Sequence, residues 1–107
     1  MIITAARAVI EGQERSEVWI DIRDGLIHEI GDGPHPSAER KFTGTLIPGF
    51  VDIHCHGGGG YYFSNLNPDQ ITGAIDIHRR AGTTTQYASL VTADLSQLKS
   101  QIEALIP

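Results

Sequence analysis

Between Phe50 and Ile106 the hydrophobic period switches repeatedly, and this order most constrains what the chain can fold into. "LIPGFVDIHCH" (46–56) alternates as a strand does, and "NPDQITGAIDIHRRAG" (67–82) repeats at helical spacing. In that second segment Ile71, Ala74, Ile75 and His78 share one helix face. Asn67 stands at the N-cap, Pro68 at the first helical position and Asp69 near the positive dipole end, with Gly82 at the stop. "TTTQYASLVT" (83–92) then reads as a second strand. Asp94 opens a second helix with Leu95, Leu98, Ile102, Leu105 and Ile106 on its apolar stripe. Strand, helix, strand, helix at these lengths implies parallel strands joined by crossover helices. Two such strands cannot close a sheet or cover both its faces. The segment is therefore expected to be the front part of a larger α/β protein, or a piece that completes itself by association.

The residues before it follow a different grammar. Val18, Ile20 and Ile22 alternate with Glu17, Trp19, Asp21 and Arg23, and "DG" at 24–25 separates them from "LIHEI". An Asp-Gly pair between two such runs predicts a tight hairpin, because the turn needs positive φ at both central residues. Ile2 to Ile10 reads as a further strand, weakened by Ala5, Ala6 and Ala8. "GDGPHPSAER" (31–40) is a connector. The expected division is a small β-domain segment over 1–48 and two βα units over 49–107.

Composition narrows the partners. A chain of 107 residues with formal charge −5 and no basic run is a poor match for nucleic acid or an anionic membrane. No apolar stretch approaches the roughly 20 residues of a membrane span, and the N-terminus lacks the pattern of a signal peptide. Its single cysteine cannot form an internal disulfide, so a cytoplasmic location is expected.

The chemistry concentrates in "DIHCHGGGGYYF" (52–63). Along a strand Asp52, His54 and His56 would share one face, and Val51, Ile53 and Cys55 the other. Residues two apart lie roughly 6.5 to 7 Å from each other, so both imidazoles can converge on one cation. Hydrogen-bonded histidines with no metal are the plain rival reading. Cys55 is expected as a small buried hydrophobe, and Asp52 as a group that orients a neighbouring histidine or bonds backbone. His78 is expected to pack within a helix stripe, and His28 and His35 to lie at the surface. The glycine run fits neither a phosphate-binding P-loop nor the dinucleotide pattern. It can serve close backbone approach or positive φ in a loop. Tyr61, Tyr62 and Phe63 can equally line a pocket or cover a rim.

"LIPGFVDIHCHGGGG" resembles the first barrel strand of the amidohydrolase superfamily, with its Pro-Gly-hydrophobic-hydrophobic-Asp-x-His-x-His signature. The glycines after the second histidine and "HRRAGTTTQYASLVT" are most similar to the N-acetylglucosamine-6-phosphate deacetylases within it. The resemblance implies the first two βα units of a (β/α)8 TIM-type barrel, left incomplete, after part of a small β-sandwich domain. It implies His54 and His56 as ligands of one or two divalent ions, zinc or iron, with Gly58 and Tyr61 as substrate contacts. The implied activity is metal-dependent hydrolysis of N-acetylglucosamine 6-phosphate to glucosamine 6-phosphate and acetate, in amino-sugar metabolism. The family's catalytic aspartate and its remaining ligands fall outside these residues, so this stretch is expected to be an N-terminal fragment, inactive alone, of an enzyme that forms a homodimer. A cyclic amidase of the dihydroorotase or dihydropyrimidinase kind is the rival within the superfamily. A non-catalytic α/β module is the rival outside it.

Overall fold

Two tight hairpins open the chain. Strand β1 (Ile2–Ile10) turns at Glu11–Gly12 into β2 (Gln13–Arg23), which turns at Asp24–Gly25 into β3 (Leu26–Asp32). Both turns carry positive φ at their two central residues, 52° and 76° in the first and 50° and 77° in the second, as type I′ hairpins require. The Asp-Gly turn was expected from its residues. The Glu-Gly turn was not, because glutamate has no preference for positive φ; Gly12 and the facing pair Ile10↔Gln13 place it.

Strand β4 (Arg40–Leu46) pairs parallel with β1, giving the sheet order β3-β2-β1-β4. Ile3, Ala8, Val18 and Ile20 form its core, and Ile10, Ile22, Ile30 and Leu46 pack around them. Ala5 and Ala8, which weaken β1 by propensity, are both buried. Their placement in the ladder overrides the propensity. Asp21 is buried too, and Arg23 Nε donates to its Oδ2 at 2.8 Å. That guanidinium holds the Asp21 carboxyl below its ordinary value.

The chain is a mixed α/β structure in which strands predominate, and the computed structural model describes residues 1–106. It divides into two compact units, Met1–Pro48 and a second from Gly49 onward. In the second, β5 (Phe50–Cys55) is followed by β6 (Gly57–Gly58), β7 (Tyr61–Tyr62) and α1 (Pro68–Arg80). Then come β8 (Thr83–Ala88), parallel to β5, and α2 (Leu95–Leu105). Asn67 Oδ1 caps α1 by accepting the Asp69 N–H at 2.9 Å. Asp94 Oδ1 caps α2 by accepting the Gln97 N–H at 2.8 Å.

The segment expected as a loop is instead a hairpin. Gly59 and Gly60 hold φ of 61° and 88°, and they fold β6 against β7 with Gly58 opposite Tyr61. Cys55, Phe63, Ile71 and Ala74 make the core of this unit, with Ala104 and Leu105 against it. Helix α2 therefore seats through Gln101, Ala104 and Leu105, a rotation away from the expected stripe. Leu95, Ile102 and Ile106 stay exposed, whereas Gln101 is buried. No helix among the described residues is long and apolar enough to cross a membrane.

Candidate metal centre

The histidines stand where two parallel strands end. His54 is the penultimate residue of β5, and His56 follows that strand directly. Their rings lie 4.9 Å apart between centroids, edge to face at 90°. Both side chains are exposed.

Ser89, the first residue past β8, ties this pair down. Its backbone N–H donates to the Cys55 carbonyl at 2.7 Å, extending the β5–β8 pairing by one residue. Its own carbonyl oxygen lies 2.9 Å from His56 Nδ1. A carbonyl only accepts, so Nδ1 carries the proton and Nε2 keeps its lone pair. The Ser89 hydroxyl sits 3.4 Å from His54 Nδ1, a weaker contact. A backbone carbonyl that fixes one ring nitrogen and leaves the other free is the usual support of a metal-binding imidazole. Ser89 was not anticipated from the sequence. Its one signal is position, at the C-terminal end of the second parallel strand.

Strict alternation breaks on β5. The pairing with β8 shifts register between Asp52 and Cys55, a bulge that resets which face each side chain takes. Asp52 lies at the start of this irregular stretch. It sits with Cys55 and His78, the three offering ligand atoms within 4.8 Å of one another. This trio is a second group of potential metal donors.

Its hydrogen bonds already engage those donors. His78 Nε2 lies 3.0 Å from the Gly57 carbonyl, and Cys55 Sγ lies 3.3 Å from the same oxygen. Asp52 Oδ1 accepts the backbone N–H of His54 at 3.1 Å, a bond to backbone and not to an imidazole. Cys55 is buried, as expected of a small hydrophobe, while His78 is half-buried on α1.

The expected substrate contacts lie on the glycine hairpin. Gly58 passes so close to α1 that a Cβ there would stand 2.7 Å from His78 Nε2. Across the hairpin the Tyr61 ring lies over Gly73, where a Cβ would meet it at 2.6 Å. Tyr61 remains 36% exposed.

The two histidines suit a divalent cation that accepts imidazole nitrogen. A catalytic zinc takes three protein ligands and water, so two histidines alone would not complete such a site. His28 and His35 are placed elsewhere. His28 lies 3.7 Å from the Asp21 carboxylate, and the His35 ring lies 4.9 Å from Trp19, tilted at 59° to it.

No family model matches the chain. It is 26% identical over 98% of its length to the N-acetylgalactosamine-6-phosphate deacetylase of Shewanella sp. (strain ANA-3), of which it covers 28%. It is 30% identical over 83% of its length to the enzyme of the same name from Escherichia coli O157:H7, covering 25% of that protein. Among solved structures it superposes on N-acetyl-D-glucosamine-6-phosphate deacetylase from Mycobacterium smegmatis with a TM-score of 0.89 and 37% identity. That match covers 98% of this chain and 31% of the other. A mutant of the mycobacterial enzyme in complex with N-acetyl-D-glucosamine-6-phosphate matches with a TM-score of 0.88, at 37% identity over 98% of this chain and 28% of its own. The chain thus spans under a third of the length of these proteins. By sequence and by fold it is similar to part of the N-acetylglucosamine- and N-acetylgalactosamine-6-phosphate deacetylases.

Proposed function

We propose that these residues form the N-terminal portion of a metal-dependent amidohydrolase that removes acetate from an N-acetylamino-sugar 6-phosphate. In this reading N-acetylglucosamine 6-phosphate yields glucosamine 6-phosphate and acetate. The arrangement at the end of β5 carries the reading: His54 and His56 lie side by side, with His56 Nδ1 fixed on the Ser89 carbonyl. Strands β5 and β8 with their helices are taken as the first two units of a (β/α)8 barrel, which places its chemistry at C-terminal strand ends. Residues 1–48 are taken as part of a small β-sandwich domain.

A divalent ion, zinc or iron, would polarise the acetamide carbonyl and lower the pKa of bound water. His54 and His56 would hold it through ring nitrogens, with room in the family's chemistry for one ion or two. Ser89 orients the imidazoles through its carbonyl and hydroxyl, and Asp52 holds the backbone of His54. Gly58 and Tyr61 border the substrate through the hairpin that follows the histidines. The carboxylate that moves the proton from water to the leaving amine comes from outside these 107 residues. The whole enzyme is taken to be a cytoplasmic homodimer.

The test is a chimera in which this chain replaces the matching 31% of the mycobacterial enzyme. It is expected to release acetate from N-acetylglucosamine 6-phosphate, and replacing His54 and His56 together by alanine is expected to abolish this. The N-acetylgalactosamine epimer run in parallel decides the sugar. A folded, metal-loaded chimera that cleaves neither sugar phosphate would refute the reading. The 107-residue chain alone is expected to show no turnover.

A further inference from the structure

Three consecutive carbonyls around His56 are each held by a different element. Cys55 C=O accepts from Ser89 N–H at 2.7 Å, and His56 C=O accepts from Phe63 N–H at 3.0 Å. Gly57 C=O faces His78 Nε2 at 3.0 Å and Cys55 Sγ at 3.3 Å. The first of these is a strand contact and the second a hairpin contact. Only the third depends on side chains, and the principal one belongs to α1.

The carbonyl decides the state of His78. A bare Nε2 pointing its lone pair at an oxygen 3.0 Å away would be repulsive, so Nε2 carries the proton and donates. Cys55 Sγ lies 3.2 Å from the same nitrogen and directs its own weak S–H at Gly57. Gly58 packs directly over this imidazole, which leaves no space for a side chain between hairpin and helix. With Nε2 so engaged, His78 is unavailable as a ligand through that atom.

We infer that His78 is a positioning residue for the histidine pair. By gripping the Gly57 carbonyl, with Cys55 as second donor, it fixes the peptide that leaves His56. The imidazole of His56 then stays on the Ser89 carbonyl with Nε2 free. The inference deepens the metal reading above and rests on it for its functional meaning, but its structural content is a statement about tautomers in the metal-free protein.

The experiment is multiple-bond ¹H–¹⁵N NMR of the histidine rings at about pH 8, above the ordinary histidine range, followed by zinc titration. The wild-type chain is expected to show His78 protonated on Nε2 and His56 on Nδ1. In His78→Leu, His56 is expected to become a mixture of tautomers, with zinc affinity falling about 10- to 100-fold. His78→Gln keeps an amide donor of similar reach and is expected to restore both. A His56 ring unchanged in His78→Leu, with unchanged affinity, would overturn the inference. So would wild-type His78 protonated on Nδ1 alone, a result that needs no variant to fold. If the wild-type chain fails to bind zinc through His54 and His56, the metal reading falls, while the tautomer comparison still decides whether His78 positions His56.

Discussion

Val18 in the first unit is 1% exposed, while Val51 and Ile53 in the second are 61% and 76% exposed. The two units use similar β-branched residues on strands and bury them very differently. Strands β1 to β4 are joined by two hairpins and a short connector, so neighbouring runs of sequence supply each other's partners. The parallel pair β5–β8 has one crossover helix between its strands, and its core gathers around Phe63, Ile71 and Ala74. Apolar side chains on the other face of β5 have nothing over them among the described residues. The relatives this chain matches are longer, and it spans under a third of each.

The sharpest way to break this comparison is to place a charge at equivalent residue types. Val18→Asp buries a carboxylate in a closed core and is expected to cost about 3 kcal/mol or more. Ile53→Asp at an exposed position is expected to change stability by under about 0.5 kcal/mol. Trp19, the only tryptophan, lies beside Val18 and reports the first unit by fluorescence in denaturant. Equal losses in the two variants would erase the distinction. The second unit has one tightly closed point, Phe63 at 1% exposure. Phe63→Ala is expected to cost about 3 kcal/mol or more of that unit's stability, read by loss of helical circular dichroism.

Ser89 offers a finer cut, because the interaction that matters uses its backbone. Ser89→Ala removes only the 3.4 Å hydroxyl contact to His54 and keeps the carbonyl on His56. Zinc affinity should fall less than about tenfold, below the usual range for losing a supporting partner. A larger loss would make the hydroxyl the principal support.

Much of this was legible in the sequence where a local rule and the fold agree. Asn67, Pro68 and Asp69 open α1 as read, and Asp24–Gly25 makes its hairpin, since caps and turns are decided within a few residues. The histidine pair was legible for the same reason. What was not legible depends on tertiary packing. The pairing of β5 with β8 is irregular between Asp52 and Cys55, where Asp52 sits with His78, and no period-2 pattern announces such an irregularity. Helix α2 buries Gln101 and leaves Leu95 and Ile102 exposed because its neighbours, not its own stripe, choose the face. The support from Ser89 joins residues 33 positions apart.

The smallest expected effect is on acid stability, and it touches both units. Arg23 lowers the pKa of Asp21, and hydrogen bonds from Ser96 and the Gln97 N–H lower that of Asp94, each from 3.8. A carboxyl depressed in the folded state stabilises it above the unfolded value, and that contribution disappears as pH falls through the folded value. Folding should therefore weaken as pH drops below about 4. Asp94→Asn should flatten this dependence for α2, as read by helical circular dichroism. An identical acid profile in that variant would remove Asp94 from the explanation.

The central claim is that His54 and His56, and not the neighbouring Asp52, Cys55 and His78, receive a divalent ion. Titrating Co²⁺ into the wild-type chain and into the His54→Ala, His56→Ala double variant tests it most directly, by ligand-field absorption. The wild type is expected to bind with no thiolate charge-transfer band, and the double variant to lose binding. A thiolate band, or binding retained without the two histidines, would contradict it and move the metal to Cys55.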